Sequence, residues 1–213
     1  MRMRKISTLA MLAVALLLPV ATHSEFIIND KDGWTNLRKE PNAKSEIVGK
    51  VHKHQVFFET IDCGGDNAPT GNWQAVDVKG VGSGYIFKNN ITDIRSFPMI
   101  VSGREDNYKD DGKSSVITAK KDNITVTMKI VDKKLGPSHF DRGAEEIIVI
   151  NGGKKLVIEP VISGARSFKL FAGNDGVLYL RISNWNPDGE YQHGVYSIVN
   201  GEVVFSAMWY TGC

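Results

Sequence analysis

The strongest constraint on the fold is a set of turn sequences in the C-terminal half, which connect segments rich in β-branched and aromatic residues. Each turn combines asparagine with glycine: Asn151-Gly152, Asn174-Asp175-Gly176 and Asn200-Gly201. These residues adopt positive φ at low cost, as the short turns of β-hairpins require. Three hairpins and a leading pair of strands predict roughly eight antiparallel strands over residues 115–213, arranged as a sandwich or a barrel.

The N-terminal part of the chain, residues 25–92, reads as shorter strands without helical periodicity. Gly33, Pro41 and Gly49 interrupt the apolar runs and favour turns, so this part is predicted to be a small β-barrel. The stretch that follows, residues 93–114, is charged, has little apolar surface to bury and is predicted to be a linker. The whole chain is therefore expected to be all-β, with two domains.

The order of residues in this barrel segment resembles the bacterial SH3-like family (SH3b), over residues 26–91. The matching positions are Asn36, Leu37, Arg38, Pro41, Ile47, Val48, Gly49, Trp73, Gly84, Tyr85 and Ile86. The chain departs from the family at His54, where a turn glycine is usual, and in a longer central loop, residues 61–72. The resemblance implies wall binding, or attachment of a partner domain to wall or protein ligands, and it does not imply catalysis. No family is recognised for the C-terminal half.

Residues 1–24 have the pattern of an export signal, in which three basic residues precede an apolar run that is too short to span a membrane. We expect cleavage before Glu25, with cleavage after Ala21 as the alternative. The mature protein is predicted to be periplasmic or secreted. No cysteine lies at the end of the apolar run, and no later stretch is apolar enough to cross a bilayer, so no membrane anchor is expected.

The net charge of the mature chain excludes one class of partner. Without the three basic residues of the signal, 23 of the 26 Lys and Arg remain, against 24 Asp and Glu, which gives a formal charge of −1. The apparent basicity of the chain therefore belongs to the signal. Because no basic stripe remains, nucleic acid is not an expected partner, and an anionic membrane surface has little more support.

The two cysteines, Cys63 and Cys213, are predicted to form a disulfide. An even number of cysteines in an exported chain is typical of oxidising compartments, and Cys213 is the last residue of the sequence. A nucleophilic Cys63 is the alternative, since its Asp-Cys step is similar to that of papain-like wall peptidases. The polar, glycine-rich residues after Cys63 do not predict the helix whose N-terminus would activate such a thiolate.

Four aromatic residues are the candidate ligand-binding residues. Trp34 and Tyr85 occupy positions where the SH3-like family builds either its core or its ligand groove, and Trp73 is assigned mainly to the core. In the second half, Trp185 and Tyr191 lie in a predicted loop, where large amphipathic rings either pack inward or meet a sugar or a protein.

Two patterns suggest metal ligands, but neither forms a complete site. His52 and His54 would share one face of a strand, yet no third ligand is near. Residues 184–189 have the oxygen-ligand spacing that begins a calcium-binding loop. The bidentate glutamate that such a loop needs at its last position is replaced by Val195. We therefore predict no metal and no cofactor.

Histidines provide the remaining candidates for catalysis. His139, Asp141 and Arg142 bring acid–base groups together in one polar segment, and the surroundings of His193 are similar to the histidine strand of the papain-like enzymes. No nucleophile can be paired with a base from the sequence, so no catalytic residues are predicted.

These patterns predict a periplasmic, non-enzymatic binding or adaptor protein, whose SH3-like module binds peptidoglycan or a cell-envelope protein. An alternative is an inhibitor or immunity-type protein that neutralises a wall-degrading enzyme, suggested by size, compartment and aromatic-bearing loops. A third hypothesis is an envelope hydrolase that uses His139 and Asp141, or His193.

Overall fold

The computed structural model describes residues 24–60, 71–105, 114–134, 140–185 and 191–210. These residues form sixteen strands in three antiparallel sheets, so the predicted all-β fold is confirmed. Three short 3₁₀ helices, Lys88–Asn90, Ile94–Ser96 and Asn174–Gly176, are the helical elements of the described residues. Within these residues, no helix is long and apolar enough to cross a membrane.

The N-terminal residues form one seven-stranded sheet with the order β3-β2-β6-β5-β4-β1-β7. Its strands are β1 (Glu25–Ile28), β2 (Trp34–Arg38), β3 (Ile47–His52), β4 (Phe57–Glu59), β5 (Trp73–Val78), β6 (Gly82–Phe87) and β7 (Ile91–Asp93). Alternate residues of these strands point to the same side and build a core that includes Leu37, Val51, Phe57, Val76 and Ile86. All five side chains are fully buried.

The remaining strands form two sheets, a five-stranded one with the order β16-β15-β14-β13-β8 and a four-stranded one with the order β12-β11-β10-β9. Their bounds are β8 (Met99–Arg104), β9 (Ser115–Lys121), β10 (Ile124–Lys134), β11 (Phe140–Asn151), β12 (Lys154–Ile158), β13 (Ser167–Ala172), β14 (Leu178–Trp185), β15 (Tyr191–Val199) and β16 (Glu202–Tyr210). The two sheets enclose a common core, to which Met128, Ile147, Leu170 and Leu180 contribute fully buried side chains. Of the two arrangements considered from the sequence, this is the sandwich.

The hairpin turns predicted from the sequence all lie between paired neighbouring strands. Asn151 and Gly152 connect β11 to β12, residues 174–176 connect β13 to β14, and Asn200 and Gly201 connect β15 to β16. Asn200 and Gly201 both have positive φ, 53° and 83°, as a two-residue hairpin turn requires. Local sequence therefore determined the connectivity of this half of the chain.

The predicted linker over residues 93–114 is wrong in part, because Met99–Arg104 is strand β8 at the edge of the five-stranded sheet. It pairs with β13, and Val101 lies opposite Leu170 with only 7% of its surface exposed. The prediction followed the composition of the whole stretch, which the later charged residues dominate, and so missed the short apolar run at its start. The sandwich therefore begins at Met99 rather than at residue 115.

The five-stranded sheet is covered on both faces. One face packs on the four-stranded sheet, and the other packs on the N-terminal sheet. This second core joins Ile27, Val56, Phe58 and Ile94 from the N-terminal sheet and its flanking segments to residues of the five-stranded sheet, including Phe171, Val177, Tyr179, Val195 and Ala207. The described residues therefore form three packed layers in which the two halves share a hydrophobic interface.

Candidate functional site

The side of the N-terminal sheet that faces away from its core displays aromatic and basic side chains. Strand β2 alternates regularly, with Thr35 and Leu37 buried and with Trp34, Asn36 and Arg38 partly exposed. Successive side chains of a strand point to opposite faces, so these last three lie on one surface. We call this surface the outer face.

Strand pairing brings Tyr85 onto the same outer face. Tyr85 lies opposite Arg38 on one side and opposite Ala75 on the other. The predicted ligand-binding residues Trp34 and Tyr85 are thus on a single surface, each with its side chain partly exposed. Residues on directly opposed positions of neighbouring strands are in side-chain reach of each other.

Trp73 was assigned mainly to the core, and this assignment is wrong. Trp73 lies opposite Phe87 on the outer face, and the two rings meet edge to face with centroids 5.6 Å apart. The core is built instead from the alternate positions of β5, which include the fully buried Val76. The outer face therefore carries Trp73 and Phe87 as well as the two predicted aromatics.

Two cations complete the outer face. The Nζ atom of Lys50 lies 3.6 Å from the ring centroid of Trp34, a cation–π contact. Arg38 donates from Nη1 to the carbonyl oxygen of Ser45, at 2.7 Å, which fixes the position of its guanidinium. Lys50 was not predicted from the sequence to be a site residue. The β2–β3 register, in which Lys50 is opposite Asn36, would have placed it on this face.

The other predicted pair, Trp185 and Tyr191, lies at the loop end of the β14–β15 hairpin, where Trp185 ends β14 and Tyr191 begins β15. The two residues are directly opposite each other and form the last pair of that ladder. Their side chains are outside the described part of the structure. The register alone brings both residues to one end of the sandwich, far along the sheet from the turn of residues 199–202.

His193 belongs to a chain of polar contacts that connects the two halves of the protein. Its Nε2 atom is 3.2 Å from Nη2 of Arg181, its Nδ1 atom is 3.2 Å from Oγ of Ser183, and Arg181 also forms an ion pair with Glu25. Arginine can only donate, so Nε2 accepts and Nδ1 carries the hydrogen that is donated to Ser183. In this tautomer the ring cannot take a proton from Ser183, so the pair does not form a nucleophile with its base.

Glu25 is almost completely buried, with 1% of its surface exposed. Burial raises the pKa of its carboxyl group above the ordinary value, while the guanidinium of Arg181 acts in the opposite direction. The contact joins β1 of the N-terminal sheet to β14 of the sandwich. Its role is to hold the two halves in a fixed relation.

Arg142, which the sequence grouped with His139 and Asp141, is the centre of a buried ion cluster. It donates to Glu105 at 2.7 Å and to Asp132 at 2.9 Å, and all three side chains are at most 7% exposed. Burial opposes the charge on Glu105, but hydrogen bonds from Arg142 and Ser115 outweigh it and hold the pKa of this carboxyl below its ordinary value. The cluster ties strands of the two sandwich sheets together.

His139 and the side chain of Asp141 lie outside the described residues, as do Cys63, Cys213 and residues 186–189 of the calcium-like stretch. His52 ends β3, whereas His54 lies in the following turn with a φ of 72°, so the two imidazoles do not alternate along one strand as expected. Among the described residues, no three His, Cys, Asp or Glu side chains are grouped to hold a metal ion.

Comparison with protein-family models, with curated proteins and with solved structures finds no match to this chain.

Proposed function

We propose that this chain is an exported, non-enzymatic binding protein of the cell envelope, and that the outer face of its N-terminal sheet contacts peptidoglycan or an envelope protein. The observation that carries the proposal is the convergence of Trp34, Trp73, Tyr85 and Phe87 on one partly exposed surface. Aromatic rings left at a surface are suited to stack on sugar rings or to pack against a protein partner.

Three sequence features support this reading. Residues 26–91 resemble the bacterial SH3-like family, residues 1–24 have the pattern of an export signal, and the remaining chain carries a formal charge of −1. The outer face is on the side of the sheet opposite the core of Leu37 and Ile86. On the same side of the sheet, Phe58 of β4 packs against the five-stranded sheet, so the part that a ligand can reach is the partly exposed surface of β2, β3 and β6 with Trp73.

The geometry of the polar clusters favours binding over catalysis. His193 donates to Ser183 rather than accepting from it, and Arg142 is neutralised by Glu105 and Asp132 in the sandwich interior. Both clusters join layers of the fold. They act as structural ties in this proposal.

The test is a sedimentation assay with isolated sacculi, using the protein without its predicted signal. We expect the wild-type protein to pellet with the sacculi and to release no soluble fragments. Trp34→Ala and Tyr85→Ala should each reduce the bound fraction several-fold, because each removes a ring from the outer face. Met208→Ala is the matched control, since Met208 is 63% exposed on β16, at the edge of another sheet.

Each other outcome identifies a different function. Soluble fragments in the supernatant would contradict a non-enzymatic role and support the envelope hydrolase. Binding that is absent for sacculi but present for one wall-degrading enzyme would support the inhibitor. In that case Trp185 and Tyr191, which end the β14–β15 ladder, become the residues to substitute.

A further inference from the structure

The contact between Lys50 and Trp34 restricts what the outer face can bind. The ammonium lies over the face of the indole ring, 3.6 Å from its centroid, and Lys50 is exposed while Trp34 is partly buried. A neutral flat group that stacks on this side of Trp34 must first displace the ammonium and lose the cation–π attraction. An anionic group can instead contact the ammonium where it lies.

A second cation, Arg38, lies on the same face but on the neighbouring strand β2. Lys50 of β3 is opposite Asn36, and Arg38 is two residues further along β2, a backbone separation of about 7 Å at the rise of a strand. The bond from Nη1 of Arg38 to Ser45 uses one of the five guanidinium donors and orients the plane of the others. Asn36, the cross-strand neighbour of Lys50 and two residues from Arg38 on β2, adds an amide that can donate or accept.

Two acidic residues lie near these strands. Glu46, next to β3, pairs with Lys39 at 3.4 Å, and Asp77 is on β5, which β6 separates from β2, where it accepts a hydrogen bond from Ser83 at 3.2 Å. The strip formed by Trp34, Lys50, Asn36 and Arg38 therefore presents two positive charges beside aromatic rings. We call these four residues the cationic strip.

We propose that the cationic strip recognises carboxylates, so that the ligand of the outer face is an anionic molecule whose carboxylate group contacts the ammonium of Lys50, with Arg38 as the second positive charge of the strip. This inference rests on the proposed function and names the ligand class of the same surface. Tyr85, opposite Arg38, then provides the adjoining apolar contact. Carboxylates satisfy both cations, because lysine and arginine are donors without acceptor capacity.

Glutarate and glutaramide provide a matched pair of probes, since they have the same skeleton and differ in charge. Each is titrated into the isotope-labelled protein without its predicted signal, and the indole NH resonance of Trp34, assigned by Trp34→Phe, is followed by NMR. We expect glutarate to shift this resonance in a saturable manner and glutaramide to leave it unchanged. Raising the salt concentration should weaken the glutarate titration, because both cations are at the surface.

Lys50→Met tests the cation directly, because methionine keeps much of the apolar stem. We expect it to weaken glutarate binding by about tenfold, while Lys155→Met on β12, also an exposed lysine, leaves the titration unchanged. Equal shifts with both probes, no shift with glutarate, or an unaltered titration of Lys50→Met would overturn carboxylate recognition. The result is independent of the sacculus assay, so failure of wall binding and failure of carboxylate recognition are distinguishable.

Discussion

Ser197 donates a hydrogen bond of 2.7 Å to the backbone carbonyl of His54, which joins β15 of the sandwich to the turn after β3. Ser197 is fully buried, and the backbone of His54 has a φ of 72°. This left-handed conformation is one that glycine adopts readily and that other residues adopt at a cost. The carbonyl of this turn binds the other half of the protein.

Ser197→Ala should lower the free energy of unfolding by about 1 to 2 kcal/mol, because it removes the hydrogen bond that the fully buried Ser197 hydroxyl donates across the two halves. Urea unfolding followed by circular dichroism measures the change. Ser83→Ala is the control, since the Ser83 hydroxyl bonds to Asp77 at an exposed site and should cost less than about 0.5 kcal/mol. Equal effects of the two substitutions would show that the hydrogen bond to His54 contributes no more to the free energy of unfolding than an exposed one.

The turn itself makes a second prediction. His54→Gly should change stability little, because relief of the left-handed backbone offsets the greater flexibility of the unfolded chain. His54→Val should cost more than about 1 kcal/mol, since a β-branched residue is strained at positive φ. Thermal unfolding of both variants checks the order, and a valine variant as stable as the glycine variant would contradict the assignment of this turn.

Tyr196 fixes the segment between β12 and β13. Its hydroxyl accepts a hydrogen bond from the backbone NH of Val161 at 2.7 Å and donates to the carbonyl of Glu159 at 3.1 Å. Tyr196→Phe should therefore cost about 1 to 3 kcal/mol in chemical unfolding, because the ring is 2% exposed and the backbone groups lose their partner. Tyr85→Phe, on the outer face, serves as the control and should be near neutral.

The buried Glu25 makes stability depend on pH in a direction opposite to that of most paired carboxylates. Burial raises the folded pKa above the ordinary value of 4.5, so the folded chain holds this proton at pH values where the unfolded chain has lost it. The contribution of Glu25 to the free energy of unfolding is fully present below pH 4.5 and is lost as the pH rises through the folded pKa. Glu25→Gln should therefore gain stability relative to the wild type as pH rises, as measured by urea unfolding between pH 4 and 8.

An exposed glutamate supplies the comparison for that experiment. Glu202→Gln, at the exposed start of β16, should show no such trend relative to the wild type. A difference between Glu25→Gln and the wild type that stays constant across the range would exclude a raised pKa at Glu25.

A disulfide between Cys63 and Cys213 remains a prediction, and the described residues offer support for it. The rings of Phe58 and Trp209 stack with centroids 5.1 Å apart, which brings β4 and β16, the strands that precede the two cysteines, into contact at one point. Cys63 follows Phe58 by five residues and Cys213 follows Trp209 by four, so each can extend more than about 13 Å from the stack.

We expect the oxidised protein to resist alkylation and to take up two alkyl groups only after reduction, as intact mass shows. Reduction should also lower the free energy of unfolding, by up to about 5 kcal/mol in the chain-entropy treatment of a loop this long. Two reactive thiols in protein isolated from the oxidising compartment would contradict the pairing.

The contacts of Ser24 predict where the mature chain begins. Its carbonyl accepts from the backbone NH of Glu59 at 3.1 Å, and its hydroxyl accepts from Arg95 at 2.8 Å. A chain that began at Glu25 would lose both bonds and place a charged amino group on a residue that is 1% exposed. We therefore expect exported protein to begin at Thr22, by cleavage after Ala21, and its N-terminal sequence decides between the two sites.

Features determined by local sequence could be predicted, and features determined by strand register could not. The turn at Asn200 and Gly201 follows from the backbone preferences of two residues. Trp73 was misassigned because a shift of one residue in register moves a side chain to the other face of a sheet. The contact of Lys50 with Trp34 requires the β2–β3 pairing, and that of Phe58 with Trp209 joins residues from opposite halves of the chain.

The double coverage of the five-stranded sheet has a geometric consequence for any ligand. Because the shared hydrophobic interface fixes the N-terminal sheet against β14, β15 and β16, the outer face and the end of the β14–β15 hairpin keep a constant separation and orientation. The two halves therefore behave as one rigid unit rather than as two domains joined by a flexible linker. Two binding partners held at these surfaces would be presented to each other at one defined spacing, without the loss of effective concentration that a flexible connection brings.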